Sequence, residues 1–139
     1  MASDTSEIER IFRTVIEQGF SAGDLAAIDA VVAPDFIEHQ HGARSGVEAL
    51  KGMVTHLRGW FPDLTLTIED LVVSGDKAWG RIVARATHTQ PVMGRPPTGN
   101  PVRIDIIDIM RVVDGKMVEH WGVPDQLALM EQVGVIPAR

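Results

Sequence analysis

The residues best suited to proton chemistry are two aspartates, Asp105 and Asp108, in a run of Val and Ile. The run and its continuation, VRIDIIDIMRVVDGKMVEHWGVPD over residues 102–125, read as a β-hairpin, because two β-rich segments flank an Asp114-Gly115 turn. Strand side chains alternate between faces, so aspartates three residues apart point to opposite sides of the sheet. Asp108 then shares its face with Ile106, Met110 and Val112, while Asp105 shares its face with Arg103, Ile107, Ile109 and Arg111. A carboxyl group among apolar side chains is costly to ionise, which strengthens it as a proton acceptor and suits it to acid/base work. Asp108 is therefore the candidate acid/base, and Asp105 is an acid balanced by basic neighbours.

Histidines supply the groups that would work beside it. His88 follows Ala78, Gly80, Ile82, Ala84 and Ala86 on the small apolar face of a strand over residues 77–89. There its imidazole would polarise a carbonyl or hold Asp108; a satisfied core histidine fits the same position. His120 alternates with Val118 and Gly122, which fits a pocket wall. Asp108, His88 and His120 form the candidate catalytic set. His39, Phe36, Trp60, Met110 and Trp121 form the candidate substrate-binding set, with core packing as the competing role for the apolar members. His41 and His56 read as surface residues, and Asp125 as a helix N-cap. His39-x-His41 offers two metal ligands, but no third follows at a suitable spacing, so no metal is expected.

These residues need elements to position them. Ser6-x-x-Glu9 predicts a capping box ahead of a helix with Ile8, Ile11, Phe12, Val15 and Ile16 on one face, ended by Gly19. Asp24 caps a second helix with Leu25, Ile28, Val31 and Val32 inward, stopped by Pro34, and residues 35–41 form a short extended piece. Ser45-x-x-Glu48 opens a third helix through Val47, Leu50, Val54 and Leu57, closed by Phe61-Pro62. The period then switches to two. Strands over 64–73 and 77–89 meet at Ser74-Gly75-Asp76, and residues 90–101, with four Pro and two Gly, form a long loop and a lid candidate. After the hairpin, Asp125 caps a last helix with Leu127, Met130 and Val133 inward, ended by Gly134 and Pro137. Helices followed by a meander predict an α+β fold: a cone-shaped α+β barrel, its curved antiparallel sheet wrapped around the N-terminal helices, with a short C-terminal helix. Such a cone takes a small hydrophobic ligand.

Composition narrows the partners. A chain of 139 residues, 45% hydrophobic and 23% charged, makes one domain, 1–139, with one real core. A net charge of −6 and a pI near 5.2 argue against nucleic acid. No apolar run is long enough for a membrane span, the N-terminus MASDTSEIER is no secretory signal, and the cytoplasm is the default location. There is no cysteine, hence no disulfide, thiolate metal site or Cys nucleophile. Ile107 and Ile109, apolar on the face opposite Asp108, predict a covered outer face and a homodimer or homotetramer.

The helix-rich N-terminus, Phe36-Ile37-Glu38-His39, Ile107-Asp108-Ile109-Met110-Arg111, and Gly115-Lys116-x-Val118-Glu119-His120-Trp121 together resemble SnoaL-like polyketide (ester) cyclases, from about Ile8 to Gly134. These belong to the wider superfamily of nuclear-transport-factor-like and ketosteroid-isomerase-like α+β cones. The resemblance implies an intramolecular aldol closure of a polyketide ester without metal or organic cofactor. It carries the acid/base role onto Asp108 and a polar pocket position onto His39. Tyrosine is absent, so a family contact made by a phenol is missing here. The expected function is a cofactor-independent acid/base enzyme on a small hydrophobic carbonyl compound, of cyclase type. An isomerase, a dehydratase, an epoxide hydrolase using Arg103-x-Asp105, and a non-catalytic binding domain are the alternatives.

Overall fold

The computed structural model describes residues 3–139; Met1 and Ala2, the start of the polar N-terminal stretch, lie outside the described residues. Helix α1 (Thr5–Arg13) places Ile8, Ile11 and Phe12 on its buried face, as the periodicity predicts. Its cap is Asp4, whose Oδ1 accepts the Glu7 N–H at 2.7 Å, and not the Ser6-x-x-Glu9 box. An ionised carboxylate just outside the first turn satisfies a free N–H and complements the helix dipole, which a serine inside the helix does not do. The helix then runs past Gly19 as a π-helical segment, Thr14–Ser21. Gly19 is a point of close approach instead of a terminator: a Cβ there would lie 2.7 Å from Ile28 Cγ1.

Helix α2 (Leu25–Val31) is capped by Asp24, as expected. Strand β1 (Val32–Glu38) starts at once, with Pro34 inside it. β1 is an edge strand, where a missing N–H is tolerated. Helix α3 (Val47–Trp60) has Gly46 at its N-cap, because the Ser45 hydroxyl instead accepts the Glu38 N–H at 2.9 Å. Strands β2 (Thr65–Ser74), β3 (Lys77–Thr87), β4 (Pro101–Val113) and β5 (Lys116–Pro124) follow, and helix α4 (Gln126–Val133) closes the chain behind its Asp125 cap.

The curved sheet has the order β1-β5-β4-β3-β2. The β2 to β5 meander is antiparallel, whereas β1 joins β5 in parallel. The β4–β5 turn has Asp114 at φ 51° and Gly115 at φ 76°, the two positive φ angles that a two-residue Asp-Gly hairpin turn requires. Helices α1 to α3 pack on the concave face around Phe12, Phe36, Ile82, Met110 and Met117. A second cluster of Phe61, Leu64, Ala84, Val92, Val102, Leu129 and Val133 fills the other end. Loop 88–100 contributes the fully buried Val92 to that cluster.

Gly80 and Phe12 set how closely α1 approaches the sheet. The Phe12 ring lies where a Gly80 side chain would project, with Cε1 only 2.7 Å from the Cβ position. Gly80→Ala is expected to destabilise the fold by roughly 1–3 kcal/mol, the usual cost of overpacking. Urea unfolding would show a lower midpoint at unchanged slope; an unchanged midpoint would mean that Phe12 has room to move.

Candidate active site

Between the helices and the sheet lies a cavity of about 720 Å³. Its sheet wall is the inward row of β4: Val102, Ile104, Ile106, Asp108 and Met110. Opposite stand Val15, Ile16 and Phe20 from the π-helical segment and Met53, Leu57 and Trp60 from α3. π-helical turns recur where a helix wall is shaped around a site. The lining is mainly apolar, and among its polar members Glu38, Gln40, Asp108 and His120 stand together.

That cluster is built from adjacent strands. Asp108 is in register with Gly80 on β3 and Gly122 on β5, so it is flanked by residues without side chains. A Cβ at Gly122 would lie 2.7 Å from Asp108 Oδ1 and 2.8 Å from His120 Cε1, and would collide with Gln40 Oε1. The bare glycine therefore leaves the space those groups occupy. His120 donates from Nε2 to Asp108 Oδ1 at 2.9 Å and from Nδ1 to Glu38 Oε1 at 2.6 Å. Glu38 is paired in register with His120 across the parallel β1–β5 ladder, and its Oε1 also accepts the Gln40 backbone N–H at 3.0 Å. The side chains of Glu38, Asp108 and His120 are 3%, 9% and 10% exposed, so the three groups are held almost out of water. Burial pulls the His120 pKa down, but hydrogen bonds to Asp108 and then Glu38 outweigh it and push it up to about 9.

The sequence profile of the SnoaL-like polyketide cyclases matches residues 10–133, nearly the whole chain. The chain belongs to the SnoaL-like polyketide cyclase family. Among curated relatives, this SnoaL-like chain is 26% identical over 120 residues to the nogalonic acid methyl ester cyclase of Streptomyces nogalater, covering 83% of this chain and 89% of that one. It is 30% identical over 103 residues to the aklanonic acid methyl ester cyclase DnrD of Streptomyces peucetius, covering 73% and 70%. Among solved structures, TsrD from Streptomyces laurentii superposes with a TM-score of 0.86 at 27% identity, over 96% of this chain and 99% of that one.

Within this SnoaL-like cone the candidate residues separate. Asp108, His120, Met110 and Trp60 all line the cavity. His88 does not stand near Asp108. β3 ends at Thr87, and Gly80 is the β3 partner of Asp108, so His88 lies eight residues further on, about 26 Å along the strand. It is fully buried beneath loop 88–100, with Nδ1 at 3.1 Å from Thr98 Oγ1 and Nε2 unpartnered. No residue of this loop lines the cavity, and the buried Val92 pins it. His88→Phe is accordingly expected to leave turnover within about threefold of wild type, since a group this distant cannot reach the reacting atoms; a loss of a hundredfold in a folded variant would return His88 to the site.

Phe36 is a core residue at 1% exposure and does not line the cavity. Trp121 points to the outer face, one step out of phase with His120 and Gly122. There it stacks on His39, with ring centroids 4.8 Å apart. His39 borders the cavity, but its Nε2 meets Glu119 Oε2 at 2.6 Å, and Glu119 Oε1 accepts from Arg111 Nε at 2.8 Å. Those hydrogen bonds, from His39 first and Arg111 second, hold the Glu119 carboxyl below its usual pKa. His41 and His56 are exposed and border the cavity. Arg103 and Asp105 pair at 3.7 Å with more than half of each side chain in solvent, away from Asp108. The sequence reading missed Glu38, Gln40 and the space above Gly122. The register that brings Glu38 to His120 crosses 82 residues and leaves no local signal. Among the described residues, no group of three or more His, Cys, Asp and Glu could hold a metal ion, and no helix is long and apolar enough to cross a membrane.

His120 also fixes a pH dependence of stability. Unfolded, it loses its proton near pH 6.5; folded, it keeps it to about 9. Its contribution is fully present below 6.5 and is lost as pH rises through 9. Thermal melts from pH 6 to pH 10 should show a decline in Tm across that window, and the decline should be smaller in His120→Asn.

Proposed function

We propose that this protein is a cofactor-independent cyclase that closes a ring by intramolecular aldol addition within a hydrophobic polyketide ester. The observation that carries this reading is the placement of Asp108: a carboxyl group hydrogen-bonded to His120 on the sheet wall of a largely apolar cavity of about 720 Å³. Relatives named as methyl ester cyclases support the substrate class. Asp108 Oδ1 is tethered by His120, and among the described residues Oδ2 makes no hydrogen bond. Asp108 takes a proton from an activated carbon, breaking C–H and forming O–H. The resulting enolate attacks a ketone in the same molecule, and the alkoxide takes the proton back from Asp108. Nothing is oxidised, reduced or released, so the product is an isomer of the substrate.

The test is incubation of purified protein with aklanonic acid methyl ester or nogalonic acid methyl ester as probe, followed by chromatography. A product of unchanged mass and new retention time supports the reading. No conversion of either ester, or conversion unaffected by Asp108→Asn, overturns it.

We further propose that a second copy of the chain covers the outer face of the sheet. Val72, Trp79, Ile107 and Val123 are 62%, 48%, 46% and 71% exposed there; the register pairs Val72 with Trp79 and Ile107 with Val123, with Ile109, the β4 partner of Trp79, between the two pairs. A patch on one face can meet its own copy about a twofold axis. Light scattering is expected to give a mass of at least twice 15.2 kDa, falling to one chain in Trp79→Glu. A monomer at micromolar concentration would refute this interface.

A further inference from the structure

We propose that Glu38 is a positioning residue that keeps the His120 imidazolium paired while Asp108 passes between its charged and protonated forms. This deepens the acid/base reading of Asp108 and rests on it. The geometry carries the inference. His120 faces carboxylate oxygens on both sides, Asp108 Oδ1 at 2.9 Å and Glu38 Oε1 at 2.6 Å. Carboxylates only accept, so the ring meets both by donating from both nitrogens. A ring with two donated N–H groups has none left for a substrate. His120 therefore acts through Asp108, and Asp108 is the group that exchanges a proton with the reacting carbon.

Three buried groups then share two negative charges and one positive charge. When Asp108 accepts the substrate proton, its attraction for His120 falls away. Without a second carboxylate, that step would leave a lone imidazolium almost out of water, which is strongly unfavourable. With Glu38 in place, the cation keeps a partner through the cycle and the ring keeps its orientation. Asp108 and Glu38 are the charged groups that raise the His120 pKa; Asp108 comes from β4 and Glu38 from β1. Glu38 is itself fixed twice, by the Gln40 N–H on its Oε1 and by the Ser45 hydroxyl on its backbone N–H.

The test compares wild type, Glu38→Gln and Glu38→Asp in two measurements. The first is nitrogen-15 NMR of the histidine rings from pH 5 to pH 10, with the His120 signals assigned by their loss in His120→Asn. In wild type both His120 nitrogens are expected to stay protonated to about pH 9. In Glu38→Gln the proton is expected to leave at least about one pH unit lower, and Glu38→Asp, which restores the charge, should recover part of the difference. The second is turnover of the methyl ester probe. In Glu38→Gln kcat is expected to fall about tenfold or more with KM within about twofold, and the alkaline limb of the kcat profile should move toward neutral pH. A merely structural residue would not move that limb. An unshifted His120 titration in Glu38→Gln overturns the proposal, as does a loss confined to KM. If wild type turns over neither ester, the cyclase reading fails while the NMR comparison still decides the pairing. If Glu38→Gln does not fold, Glu38→Asp supplies the comparison: it should show a His120 titration shifted below wild type, and an unshifted one refutes the role.

Discussion

Asp108→Asn is expected to fold as wild type does and to lose about 10²- to 10⁴-fold in kcat on the ester probe, the range for removing a positioned general acid/base. The substitution is close to isosteric. The asparagine oxygen can still accept the His120 Nε2 proton, so the neighbouring contacts have a reason to persist. What disappears is the ability to hold the substrate proton between its removal from carbon and its delivery to the alkoxide. KM should change little, because the apolar walls that bind the rest of the molecule are untouched. Circular dichroism alongside the rate measurement separates a chemical defect from a folding one. A folded Asp108→Asn that keeps its rate within a few-fold would remove Asp108 from the chemistry.

Gly122→Ala is the second large effect, and its cause is spatial. A single added methyl group would sit 2.7 Å from Asp108 Oδ1 and 2.8 Å from His120 Cε1, and would drive into Gln40. Gln40 is a flexible side chain and can swing aside. The Asp108–His120 pair is held by two strands and by Glu38, so its displacement comes at the expense of alignment. Misplacement of reacting groups by about 1 Å can cost about 10²-fold in rate, and a loss of that order is expected here. The variant should show a kcat defect and, in the NMR titration, a changed His120 environment. Wild-type turnover in Gly122→Ala would mean that Gln40 alone takes up the strain.

The strand alternation that separated Asp105 from Asp108 proved a sound guide, because each residue step reverses the face. The same alternation puts His88 on the inner row, but a face is not a distance: His88 lies at the far end of that row from Asp108. Trp121 follows the rule directly, being adjacent to His120 and so on the opposite face. The Asp-Gly turn and the amphipathic first helix were legible because their signals are local. Asp4 and Ser45 show the limit of a local motif, since a competing carboxylate takes one cap and a strand N–H takes the other hydroxyl. Glu38 was hidden for a topological reason. Nothing within β1 says that it will run parallel to a strand near the other end of the chain.

That parallel edge strand orders the events of folding. The Asp108–His120 contact spans 12 residues inside one hairpin, whereas Glu38–His120 spans 82. Short closures form early and long ones late, because the entropy lost in joining distant segments must be recovered by contacts already made. A chain with its meander formed would carry the acid and its histidine before the second carboxylate arrives. Docking of β1 is then the step at which a folded sheet becomes a complete site, and amide exchange along Val32–Glu38 would report when that step is reversed.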